Sequence, residues 1–210
     1  RNEIPHVATL YIGSYDSAVM NNAVRLLDPE RVVLLDDGIM TLGIAETRHE
    51  HKRLPQKSQI KKRVLQLMGI QLTPIDTLEF FTAFSIKAPP SDTIVPCTYS
   101  FLRGQLAEKD LEESVLVLGA PLIEDGVMSN QNYLNALNSI AQKYRGMPIR
   151  YFSHRREHDR NLDSIKSQLQ WHVEKPTQCF ELSLLEGRRL PSHVIGLFSS
   201  ALLTAAQLTG

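Results

Sequence analysis

The stretch Arg31-Val-Val-Leu-Leu-Asp-Asp-Gly38 decides the fold class. Val32 to Leu35 are all apolar with no polar alternation, the pattern of a parallel strand buried on both faces. Asp36-Asp37-Gly38 then closes the run as a turn. Upstream, Val7-Ala-Thr-Leu-Tyr-Ile12 is a shorter strand-like run ending at Gly13. Between the two, Val19, Met20, Ala23, Val24 and Leu27 recur at helical spacing within Asp16–Leu27. Strand, helix and strand in about 30 residues make one βαβ unit with a right-handed crossover.

The same alternation continues outward. Leu78–Ile86 is an aromatic-rich strand candidate, after which Lys87-Ala-Pro-Pro-Ser-Asp92 and Pro96 break the pattern. A domain boundary is expected in this region, between Lys87 and Glu112. Ser114-Val-Leu-Val-Leu118 is a strand ending at Gly119. Ser129 is placed to cap a helix carrying Tyr133, Leu134, Leu137, Ile140, Ala141 and Tyr144, which Gly146 and Pro148 stop. Ile149–Phe152 and Val194–Phe198 read as strands, Phe180–Leu185 as a short helix, and Ser199–Ala206 as a helix start rich in small residues. The chain is therefore expected to be an α/β protein of two blocks, at 1–105 and 106–210. It opens on Arg1 and reaches a strand-like run within a few residues, so the first domain is expected to be incomplete at its start.

Composition narrows the function classes. Over 210 residues, 23 Lys+Arg balance 23 Asp+Glu, which argues against a global electrostatic grip on nucleic acid or anionic membrane. The 42% apolar content supports a packed core. No apolar run approaches the ~20 residues of a membrane helix, and no charged-then-apolar leader opens the chain. Cys97 and Cys179 are too few for a disulfide framework and read as free thiols of a reduced compartment. One stretch, Thr47–Arg63, is strongly basic: Arg48, Lys52, Arg53, Lys57, Lys61, Lys62 and Arg63, with His49 and His51. It reads as a solvated surface, with a landing surface for an anionic acceptor as the sharper alternative.

Four constellations sit where strands are expected to end, the edge at which open α/β sheets bind ligands. Asp36-Asp37-Gly38 and Glu124-Asp125-Gly126 share an acidic-acidic-Gly pattern. A carboxylate pair can supply a general base, although a plain capped turn would use the same residues. His154, with Arg155 and Arg156, follows the Ile149–Phe152 run. An imidazole beside guanidinium groups suits a phosphate leaving group. His154-Arg-Arg-Glu157-His158 also matches H-x-x-E-H, a zinc-hydrolase pattern. That chemistry needs the residues on one helix face and a third ligand, for which Glu174, Glu181 and Glu186 are available. The strand context of His154 argues against it. Finally, Ser199-Ser200 stands at a strand-to-helix junction, where free helix N–H groups and hydroxyls hold phosphate or simply cap the helix.

The ordered set resembles the bacterial sialyltransferases, including polysialyltransferases and lipooligosaccharide sialyltransferases. Their three short motifs are an acidic-acidic-Gly tripeptide, a His-Pro dipeptide and a Ser-Ser/Thr pair. The matching residues are Asp36-Asp37-Gly38, His154 within Tyr151-Phe-Ser-His-Arg-Arg-Glu157, and Ser199-Ser200 within Pro191–Ser200. Leu34–Gly38 and Leu118-Gly-Ala-Pro-Leu-Ile-Glu124 resemble the family as well, and the likeness covers most of the chain. The chain departs from the pattern in one place: Arg155 stands where the family has proline.

The resemblance implies a GT-B-like fold, two Rossmann-like domains facing a cleft. It also implies an inverting, metal-independent glycosyltransferase with a CMP-sugar donor, sialic acid or a relative, and no further cofactor. Asp37 would be the base, with Asp36 and Gly38 supporting it. Asp125, with Glu124, is the reserve. His154 would assist departure of CMP, and Ser199, Ser200, Arg155 and Gly119 would hold the nucleotide and its phosphate. Ser199 and Ser200 are expected at a helix N-terminus facing the cleft near His154. The partners implied are a nucleotide-sugar donor and an oligosaccharide or glycolipid acceptor, with no nucleic acid. A cytoplasmic location, peripheral association with the inner membrane and a homodimer are compatible with this. The rival class is a nucleotide-binding regulatory protein that has lost turnover.

Overall fold

Every strand pairing described in this computed structural model is parallel. The structure describes residues 6–50 and 59–209. The protein is α/β, with two four-stranded parallel sheets. One lies in each of two units, Arg1–Thr98 and Tyr99–Gly210.

In the first unit the strands β1 (Thr9–Ile12), β2 (Arg31–Leu35), β3 (Glu79–Thr82) and β4 (Thr93–Pro96) lie side by side in chain order. The helix α1 (Ala18–Leu27) links β1 to β2, and α2 (Met40–His49) and α3 (Gln59–Leu67) precede β3. Ser17 caps α1 by accepting the Met20 amide on its side chain. Each crossover steps the same way, so right-handed connections put the helices on one face. There Ile12, Val32, Leu34 and Phe80 pack with Ile44 and Ala45 of α2, and Met20 and Val24 of α1 join them. On the other face Tyr11, Leu35 and Phe81 are exposed at 63%, 37% and 38%, around a buried Val33.

A buried ion pair ties this unit together. The guanidinium of Arg48 meets Asp92 in two bonds of 2.6 Å and also donates to the Tyr15 hydroxyl and the Ile75 carbonyl. Neither side chain of the pair touches solvent. Arg48 therefore corrects the reading of Thr47–Arg63 as a solvated surface: a charge on the inner side of α2 is buried because a carboxylate waits for it. His51, Lys52, Arg53 and Lys57 of that stretch lie outside the described residues.

The second unit is wound differently. Its strands are β5 (Asp110–Leu118), β6 (Ile149–Phe152), β7 (His172–Glu174) and β8 (Arg189–Gly196), in the order β7-β6-β5-β8. Between them run α5 (Asn130–Lys143), α6 (Asp159–Leu169) and α7 (Phe180–Glu186), with α4 (Ser100–Ala107) before β5 and α8 (Ala201–Thr209) after β8. The chain steps outward from β5 to β7 and then returns to the far side of β5. That reversal puts helices on both faces. Val115 and Val117 pack with Tyr133, Leu137, Leu162 and Ile165 of α5 and α6. Leu116 and Leu118 pack with Leu106, Phe180, Leu184, Ala205 and Leu208 of α4, α7 and α8. Helix α4 spans residues 105 and 106, and through this packing it groups with the second unit. Strand β8 starts earlier than the apolar run Val194–Phe198 and stops at Gly196, because Leu197 and Phe198 bend away and are exposed.

Candidate functional site

The order β7-β6-β5-β8 places a topological switch point between β5 and β8, and ligands of open α/β sheets bind there, beyond the carboxyl ends. Leu118 is in register with Phe152 on one side and Gly196 on the other. The three chain exits are therefore aligned along one edge. Gly119 opens the first, its amide donating to the Phe152 carbonyl at 2.8 Å. A side chain there has no room: a Cβ would lie 2.6 Å from the Tyr151 hydroxyl oxygen and closer still to Glu157 Oε2.

His154 lies two residues beyond β6, in a turn closed by the Glu157 amide on the His154 carbonyl at 3.0 Å. Its Nδ1 accepts the Arg156 amide at 3.2 Å, so the neutral ring carries its proton on Nε2. Burial, and then the charges of Arg156 and Arg155, hold the imidazole below its ordinary pKa. Arg155 and Arg156 are exposed.

Beneath this turn lies a polar network. Glu157 is 8% exposed. Its Oε1 accepts the Tyr151 hydroxyl and its Oε2 the His154 amide, both at 2.6 Å. Tyr151 meets Tyr133, oxygen to oxygen, at 2.7 Å, and the Tyr133 oxygen accepts the Ala120 amide at 3.3 Å. Burial pushes the Glu157 carboxyl up to about 7 against hydrogen bonds that work to lower it. It pushes the Tyr133 hydroxyl up to about 12, and raises Tyr151 as well. Sequence reading met Glu157 only inside the H-x-x-E-H pattern. That pattern lies on a turn and the start of α6, and the carboxylate is engaged by two internal donors.

Glu124-Asp125-Gly126 forms the turn after β5, with Gly126 at a positive φ of 69°. Burial alone would raise the Glu124 carboxyl. The amides of His158 and Glu124 itself, with the Asn161 side chain, outweigh it and hold the group below its ordinary value. Its Oε1 is 2.8 Å from both His158 N and Asn161 Nδ2. Asp125 pairs with Arg156 at 2.5 Å. This tripeptide thus fastens the β5 loop to the His154 turn.

Ser199 and Ser200 stand at the start of α8, three and four residues beyond the end of β8. The Ser199 hydroxyl accepts the Ala201 amide at 3.3 Å, and the Ser200 carbonyl accepts the Leu203 amide at 3.0 Å. Ser199 is a cap, and both residues sit at the positive end of the helix dipole. Two cavities of this unit, about 420 Å³ against α7 and the strands and about 580 Å³ between α4, β8 and α8, are lined by none of His154, Gly119, Ser199 and Ser200.

In the first unit, Asp36-Asp37-Gly38 follows β2. Asp36 latches β2 to the chain after β3, its Oδ2 accepting the Ala83 amide at 2.7 Å, while its buried Oδ1 has no partner among the described residues. Gly38 turns the chain at φ 56°. Asp37 is exposed; its amide donates to the Thr41 hydroxyl at 3.1 Å, and its carboxylate makes no hydrogen bond or ion pair among the described residues.

Among the described residues no group of three or more His, Cys, Asp or Glu is arranged to hold a metal ion. No described helix is long and apolar enough to cross a membrane. No protein-family model and no curated protein matches the chain.

Proposed function

We propose that the protein is an inverting glycosyltransferase of the sialyltransferase kind, its two units being the two Rossmann-like domains of a GT-B enzyme. It would move sialic acid or a related sugar from a CMP-sugar to a hydroxyl of a glycan acceptor. The observation that carries this reading is the alignment of three exits on the second unit's switch-point edge: Gly119, the His154 turn and the Ser199-Ser200 helix start. An imidazole donor and a helix N-terminus on one strand edge suit a nucleoside monophosphate.

In the proposed step the acceptor oxygen forms a bond to the anomeric carbon as the bond from that carbon to the CMP phosphate oxygen breaks. The leaving oxygen keeps the electron pair, and His154 Nε2–H stabilises it. The acceptor proton goes to a carboxylate. Asp37 suits that role better than Asp125, because Asp125 is held by Arg156 while the Asp37 carboxylate is unengaged among the described residues. A cytoplasmic setting peripheral to the inner membrane goes with this reading.

Thermal shift with CMP, UMP, GDP and UDP tests the donor class. A ligand at a hundredfold excess over Kd stabilises by about 2.7 kcal/mol. CMP is expected to raise the midpoint most, and a response to GDP or UDP with none to CMP contradicts the proposal.

A further inference from the structure

Glu157 closes the His154 turn twice. It donates its amide to the His154 carbonyl at 3.0 Å and accepts the His154 amide on Oε2 at 2.6 Å. With Nδ1 taken by the Arg156 amide, Nε2 is the ring atom without a partner among the described residues. We propose that Glu157 is the positioning residue for His154: its carboxylate, oriented by the Tyr133–Tyr151 hydroxyl chain, clamps the turn and leaves Nε2–H to face the ligand. This rests on the reading of His154 as the group that meets the leaving phosphate.

The direction of the hydroxyl chain supports the ionised form. Tyr151 spends its one hydroxyl hydrogen on Oε1, so the Tyr133 hydroxyl donates to Tyr151 while accepting the Ala120 amide. A proton on Oε1 would reverse the chain and leave the Tyr133 hydroxyl hydrogen with no acceptor in it. A proton on Oε2 would face the His154 N–H. Either costs a buried hydrogen bond. The titratable groups facing the carboxylate are Tyr151 from β6, Tyr133 from α5 and Glu124 from the loop before α5, with His154 on its own turn. Among the described residues no cation pairs with it. The clamp therefore holds above a pH of about 7 and loosens below it.

The tests are Glu157→Gln and Tyr151→Phe in the full chain. Glutamine keeps the shape but cannot accept from both donors. Glu157→Gln is expected to lower kcat for CMP-sialic acid consumption by ~10²-fold with KM within about twofold. The fall of kcat below pH ~7 in the wild type should be absent in this variant. Hydrogen exchange at the His154 amide should quicken by about tenfold or more, and the midpoint of unfolding at pH 8 should not drop. Tyr151→Phe, which keeps the Oε2 contact, should fall between. Unchanged His154 exchange in Glu157→Gln overturns the clamp, whatever the activity. If the wild type consumes no CMP-sialic acid, the transferase reading falls, and the exchange measurement alone decides the clamp.

Discussion

The two units bury charge in opposite ways. The first hides Arg48 with Asp92, a cation against an anion in a bidentate contact with both side chains sealed from solvent. The second hides Glu157 with two tyrosines and a backbone amide and no cation among the described residues. The first arrangement joins α2 to the segment before β4. The second holds a carboxyl at about 7 beneath a strand edge. Perturbed groups of that kind gather at functional sites, whereas a satisfied pair is more often structural. The sheets differ in the same sense. Strand order β1-β2-β3-β4 covers one face with helices, and order β7-β6-β5-β8 covers both and opens a switch point.

The largest effect that sharpens this contrast is Arg48→Ala. Leaving Asp92 buried and unpaired should cost about 3–5 kcal/mol in urea unfolding; a loss below 1 kcal/mol would show that the pair does not hold the first unit together. Next comes core truncation. Leu137→Ala, in the doubly covered sheet and 0% exposed, should cost about 2–5 kcal/mol. Phe81→Ala, on the more exposed face of the other and 38% exposed, should cost less, about 1–2 kcal/mol. Equal losses would erase the difference between one covered face and two.

Glu157 supplies a pH-dependent test. Its folded pKa of about 7 lies above the unfolded carboxyl value. Its contribution to stability is therefore fully present below that unfolded value and is lost as pH rises through about 7. The span corresponds to about 3 kcal/mol at ~1.4 kcal/mol per unit. Unfolding curves between pH 4 and 8 should show a decline that Glu157→Gln removes, and identical slopes in both proteins would mean that the carboxyl is not perturbed. The smallest effect is at a cap. Ser129→Ala removes the acceptor of the Asn132 amide at the start of α5 and should lower stability by ~1 kcal/mol.

Much of the fold was legible because buried parallel strands leave unbroken apolar runs. Arg31–Leu35 and Ile149–Phe152 coincide with β2 and β6. Strand β4 was hidden by Pro96, which is tolerated because β4 pairs on one side only. Helix α6 was hidden by its polarity, although Leu162, Ile165 and Leu169 do keep helical spacing and the first two are buried. The order of strands was not readable at all, since no residue pattern names a strand's neighbour.

Of the candidate site, the positions of residues with distinctive chemistry were legible. Asp37, His154, Ser199 and Ser200 stand at chain exits beyond β2, β6 and β8. The network behind His154 was not. Tyr133 and Tyr151 read as ordinary apolar positions, and only the fold shows that their hydroxyls end on Glu157. Arg48 was misread for a related reason. A charge run in sequence does not say which member turns inward, and Asp92 lies 44 residues away.

The most direct measurement is consumption of CMP-sialic acid by the wild-type chain beside His154→Ala, with CMP binding followed in the same samples. The account predicts turnover in the wild type and a loss of ~10²–10³ in kcat for the variant, with both proteins folded and both binding CMP. Full turnover by His154→Ala, or CMP binding with no turnover by the wild type, would contradict it.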